Sequence, residues 1–183
     1  MMQLIITVMA IGLAALLAVG GVTYFSTDIG HRIAVQQALR SQHDAIVTAV
    51  SSYRTANNGF VHPDVARLEK YLPEGRLPRI PGGEESFSWS IEKNNATGQF
   101  LGLCLNRESG AIDRGVAQGV ASFAQDRAAR YPGSVIYGTR GGSGPCGMTQ
   151  PPDGSPQVVA KDSPLDAEAL RGNSNAVISF RGF

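Results

Sequence analysis

The chain has 183 residues, enough for one domain plus an N-terminal anchor, and its 16 basic against 15 acidic side chains give a net charge of +1. The basic residues are scattered, Arg54, Arg67, Lys70, Arg76 and Arg79 among them. A phosphate backbone needs them clustered, so no nucleic-acid binding is expected. The 22 glycines and 10 prolines fall mostly after Tyr71, which predicts a loop-rich C-terminal half.

Met1 to Thr27 carries no charged side chain, and Asp28 is the first charge. Within it, Leu4 to Val22 is apolar except for Thr7. At 1.5 Å per residue that run spans about 28 Å, close to the hydrocarbon thickness of a bilayer. Tyr24 and Phe25 follow where an interfacial aromatic belt would sit. A cleaved secretory signal needs a basic region ahead of the apolar run, and Met1 to Gln3 has none, although Ala18-Val19-Gly20 offers a small-x-small site. A lipoprotein needs a Cys just after the run, and none stands there. The expectation is therefore a retained membrane helix over residues 1–25. Only His31 and Arg32 flank it, so its orientation is weakly signalled; a chain that had lost a short basic leader would show this pattern. Gly20 and Gly21 read either as ordinary membrane-helix glycines or as a hinge.

Residues 26–57 are expected to continue as an amphipathic helix. Ser26 or Thr27 could cap it. Ile29, Ile33, Leu39, Ile46, Val50 and Tyr53 recur at helical spacing with Val35 and Val47 beside them, and Gln37, Arg40, Gln42, Asp44 and Thr48 fill the opposite face. Asn57-Asn58-Gly59 is a helix stop. The two stretches together predict a helix of about 55 residues, some 80 Å long. A break between Gly21 and Gly30 is the alternative.

Residues 58–183 form the expected head. Pro63 to Tyr71 reads as a short helix, and Leu72 to Gly83 as an extended linker. Ser86 to Ile91 alternates with Phe87, Trp89 and Ile91 on one face; Asn94 to Gly98 turns the chain; Phe100 to Leu105 returns, completing a hairpin. Asn95-Ala96-Thr97 matches a glycosylation sequon, a pattern common by chance. Asp113 to Arg130, with Val116, Val120, Phe123 and Ala124, is an amphipathic helix. Val135 to Tyr137 and Ala176 to Phe180 are expected strands; Gly138 to Gly147 is a Gly-rich flexible loop; Pro145 to Pro164 should be irregular. The fold class is α+β: a long N-terminal helix packed on a small antiparallel sheet.

Cys104 and Cys146 lie on the same side of the expected anchor, where an exported pair usually bonds. Two free buried thiols are the alternative. A bond closing region 104–146 would contribute about 4 kcal/mol in the loop-entropy account. Neither cysteine has zinc-ligand spacing. Gly138 to Gly144 lacks the Gly-Lys-Ser/Thr end of a phosphate loop, and Gly141 to Pro145 has proline where a nucleophile elbow needs glycine. His31, His43 and His62 are dispersed, and His43, on the apolar stripe, reads as a core histidine. Glu108, Asp113 and Asp126 form no evident acid pair. No catalytic residue, cofactor or metal site is expected, and the chain does not read as an enzyme.

In order, Leu4 to Val22, Ile29 to Tyr53, Pro63 to Tyr71, Ser86 to Leu105, and Cys104 with Cys146 fill the plan of a type IV pilin, and the chain resembles the type IVb group most. Ala34 to Leu105 is also similar to small membrane components of the thin-pilus systems of conjugative plasmids. The resemblance is architectural. It implies a subunit that waits in the inner membrane with its head periplasmic or extracellular. The subunit would then form a surface filament, a helical homo-oligomer packed through its N-terminal helices, with the help of pilus assembly machinery. It implies Met1 as a processed, methylated N-terminus and Gly20-Gly21 as the place where the helix bends. The family usually has Glu at the fifth mature position, where this sequence has Ile5. The competing reading is a bitopic inner-membrane scaffold of a pilus or secretion system that never polymerises.

Overall fold

The computed structural model describes residues 2–59, 65–77, 80, 86–94, 97, 100–108, 110–142, 145–149 and 157–181, with side chains from residue 29 on, apart from 65, 66, 74, 93 and 145. The fold is α+β. In chain order it runs α1 (Met2–Ala56), 3-10 helices at Val65–Tyr71 and Pro73–Gly75, β1 (Phe87–Lys93), β2 (Phe100–Arg107), α2 (Arg114–Arg130), β3 (Val135–Arg140), a 3-10 turn at Pro145–Gly147, β4 (Met148–Thr149), β5 (Gln157–Val158), α3 (Ala167–Gly172) and β6 (Ala176–Arg181).

All pairings in the sheet are antiparallel, in the order β1-β2-β6-β3-β4, with β5 sharing the outer edge of β3. The last strand of the chain is therefore central. Because side chains alternate across a strand, the register sorts the residues into two faces. Trp89 opposite Leu105, Leu103 opposite Phe180, and Leu105 opposite Ile178 form the inner face. Ser90 opposite Cys104, and Cys104 opposite Ser179, belong to the outer face.

The inner face is covered by α1 and α2, whose Val35, Leu39, Val116, Val120, Phe123 and Ala124 join Phe87, Leu105, Ile178 and Phe180 in one buried cluster. A second cluster joins the end of α1 (Ile46, Ala49, Val50) to Leu68 and Leu72 of the 3-10 segment and to Ile91 and Leu103. The helices approach closely because α2 has glycine at two successive turns of the seam. A Cβ at Gly119 would lie 2.6 Å from Val35 Cγ1, and one at Gly115 would lie 2.9 Å from His31 Nδ1. α1 ends at the predicted stop: Asn58 and Gly59 turn left-handed, at φ 55° and 89°.

Several expectations change. The buried stripe of α1 starts at Val35, not Ile29; Ile29 and Ile33 are 52% and 46% exposed. α2 begins opposite His31, so Ile29 lies beyond the reach of that helix, and Ile33 points away from the seam. The expected helix over Pro63 to Tyr71 is 3-10 helix in its described part. The linker after Tyr71 is no free spacer, since Leu72 and Ile80 are buried. The stretch expected to be irregular contains β4 and β5, and buries Met148 and Val159. β3 runs through Gly138 to Arg140, so the glycine-rich loop begins only at Gly141. The helix α3 was not anticipated. Pro63, the sequon residues Asn95 and Ala96, and Ser143-Gly144 lie outside the described residues.

Candidate functional site

Helical spacing places position 43 four residues after Leu39 and three before Ile46, so a side chain there enters the core whatever its polarity. It is His43, fully buried. The rings of Trp89, Phe123 and Phe180, from β1, α2 and β6, surround it at centroid distances of 6.1, 5.9 and 5.8 Å. Arg127 of α2 presses Nη2 against Nδ1 and lies 3.1 Å from Nε2. A guanidinium only donates, so the ring nitrogen that faces it must accept, which requires the neutral imidazole. Burial first, and the Arg127 charge second, pull the His43 pKa from the usual 6.5 to about 4, against a smaller opposing pull from Asp44. Asp44 Oδ1 sits 3.3 Å from His43 Nδ1 and 3.4 Å from Arg127 Nη2. Next to it, Trp89 Nε1 donates to Gln42 Oε1 at 2.6 Å.

The outer face of the sheet is built differently. Cys104 and Cys146 are joined, with Cα atoms 5.8 Å apart. The bond folds the loop after β3 back over the sheet, where Cys104, Met148 and Val177 form a small buried cluster. Met148 fits because position 138 is glycine: a Cβ there would meet its sulfur at 2.9 Å. Cys146 and Gly147 take left-handed conformations (φ 55° and 71°) that reverse the chain into β4. The amides of Gly141 and Gly142 both donate to the Gly147 carbonyl at 2.9 Å. They are thereby directed into the loop itself. Glu92 lies beside the disulfide, its Oε2 3.6 Å from Cys146 Sγ. It accepts from Arg181 Nε at 3.1 Å and from Ser179 Oγ at 3.2 Å. The carboxylate and both sulfurs lie within 4.8 Å of one another, but joined sulfurs are not thiolates and cannot act as thiolate ligands.

Arg107 is a third buried polar feature. It continues the inward series Leu103, Leu105, and donates to the carbonyls of Leu170 (2.7 Å), Arg171 (2.8 Å) and Gly110 (2.8 Å). It thus caps the end of α3 with a cation, as orphan helix carbonyls favour. Among the described residues its Nε has no partner.

Of the residues singled out in the sequence, the structure brings Cys104 and Cys146 together and buries His43 in the core. His31 lies against Gly115, on the same seam. Met1 lies outside the described residues; Ile5, Gly20, Gly21 and the whole apolar run from Leu4 to Val22 lie within α1, but their side chains are not among those described. Among the residues whose side chains are described, no helix is long and apolar enough to cross a membrane. Sequence reasoning missed Arg127, Glu92 and Arg107. Only Arg107 carried a signal, as a charge on the apolar side of an alternating strand.

No protein-family model, curated protein or solved structure matches this chain.

Proposed function

We propose that the chain is a structural subunit of a type IV pilus-like filament, assembling through its apolar N-terminal helix with the heads outside. The observation that carries this reading is the asymmetry of α1. From Val35 to Val50 the helix is built into the head through two buried clusters. Its upstream part presents Ile29 and Ile33 to the outside, and the uncharged run to Thr27 precedes them. A helix bonded to its domain at one end and apolar at the other is suited to membrane storage and then to packing against copies of itself. In this reading residues 1–25 span the inner membrane before assembly, Gly20-Gly21 is the bend, and Met1 is the processed end.

Ile5 favours the second reading, a bitopic scaffold in a pilus or secretion complex, because it lacks the carboxylate with which pilins neutralise a neighbour's terminal amine. Shearing surface fibres from cells that express the native chain, with mass analysis of its N-terminus, separates the two. The filament reading expects the chain in the sheared fraction with a methylated first residue. Its absence from that fraction, with an unmodified Met1 in the membrane, sinks the filament reading in favour of the scaffold.

A further inference from the structure

Nothing in the filament reading uses His43, a fully buried titratable group at the junction of α1, α2 and the sheet. We propose that His43, Arg127 and Asp44 form an acid-operated latch that holds the C-terminal half of α1 against α2. Closure requires an accepting ring nitrogen, because Arg127 can only donate to it. A proton on the imidazole removes that acceptor and sets two cations against each other in a site that His43 shares with three aromatic rings.

The surrounding charges determine what happens next. On α1, Asp44 is within reach of the imidazolium at 3.3 Å. On α2, Asp126 is engaged by Arg40 at 2.5 Å and by Arg130 at 3.6 Å. β1 and β6 present the Trp89 and Phe180 rings. Among the described residues Asp44 thus faces both cations, and Arg127 is the one with somewhere else to go. Its guanidinium already lies 5.7 Å from the centroid of the half-exposed Tyr131 ring, a favourable place for it. In the acid state His43 keeps Asp44, Arg127 moves out over Tyr131, and the seam opens from that end. The close contact of Gly119 with Val35 serves as the pivot. The coupling lies within the head and α1, so it holds whether or not the subunit polymerises.

The molecule contains its own reporter. Trp89 is the single tryptophan, its ring 6.1 Å from His43, and an imidazolium quenches indole emission. The full chain in neutral detergent would be titrated from pH 8 to 3.5, following Trp89 emission and amide exchange of residues 39–50. Reversible quenching centred near pH 4 is expected, with protection over 39–50 falling at least tenfold. Exposed carboxylates titrate in the same range, so His43→Gln, which keeps an acceptor for Arg127, is the control and should lose both responses. Arg127→Gln keeps His43 but removes the opposing charge, and should raise the midpoint by about one pH unit. The latter variant alone decides the matter if His43→Gln does not fold. An unchanged profile in His43→Gln, an unmoved midpoint in Arg127→Gln, or quenching without loss of protection over 39–50 would each overturn the latch.

Discussion

The two faces of the sheet are held by different physics. The inner face is closed by area: Phe123, Phe180, Leu39 and Val116 exclude water together, and burial beside Arg127 favours the neutral form of the His43 ring set among them. Among the described residues the outer face has Cys104, Met148 and Val177 as its buried apolar group, and a covalent bond supplies what so small a cluster cannot. Dispersed burial fails gradually as single residues are lost, whereas a staple fails all at once but locally. The same sheet thus carries one face that should respond to packing and pH, and another that should respond to reductant.

The comparison can be broken most severely at the inner face. Phe123→Ala opens a cavity among the rings of His43, Trp89 and Phe180 and should cost about 3–5 kcal/mol of stability, measured by denaturant unfolding of the full chain. If the loss were under about 1 kcal/mol, the inner face would not be the main source of stability. Removing the disulfide, as Cys104→Ala with Cys146→Ala, should cost about 2–4 kcal/mol. Hydrogen exchange should rise first over β4 and the loop from Gly141 to Gly147, while Trp89 emission stays native-like; loss of the native Trp89 signal would mean that the two faces are not separable.

Acid should distinguish them next. Unfolded His43 binds a proton near 6.5, and folded His43 only near 4. Between those values the unfolded chain holds more protons, so stability is full above about pH 6.5 and falls as pH drops. By linkage, about 3 kcal/mol should be lost by pH 4. Urea unfolding at several pH values reads this directly, and His43→Gln should flatten the pH dependence over that window. Ile33→Ser, on neither face, should change head stability by no more than about 0.5 kcal/mol. A larger loss would show that this exposed side chain is held by the head after all.

Much of the scaffold was legible before any coordinates. The 3.6-residue period of α1 from Val35 and of α2, the alternation of Phe87, Trp89 and Ile91, and the Asn57-Asn58-Gly59 stop each depend on neighbours in sequence, which is why they could be read there. α3 could not: Ala167–Gly172 is six residues long and buries a single side chain, Leu170. That is too short for a period. Its ends are held by Asp166, which accepts from the Glu168 amide at 3.0 Å, and by Arg107, far away in the chain. Met148, in a run that read as irregular, is buried only because Gly138 leaves room above β3.

The sequence by itself determined the longer periodic elements (the amphipathic part of α1, α2, the β1–β2 hairpin, β3 and β6), that positions 39, 43 and 46 share one face, and that two cysteines stand beyond the apolar N-terminus. These are properties of local backbone geometry and side-chain period. The tertiary structure decided that β6 is central, that Ile29 and Ile33 face outward while Val35 does not, and that a proton on His43 would meet Arg127. Those facts rest on residues 84 positions apart in the case of His43 and Arg127. A helical period says which way a side chain points, but only the packed fold supplies what it meets.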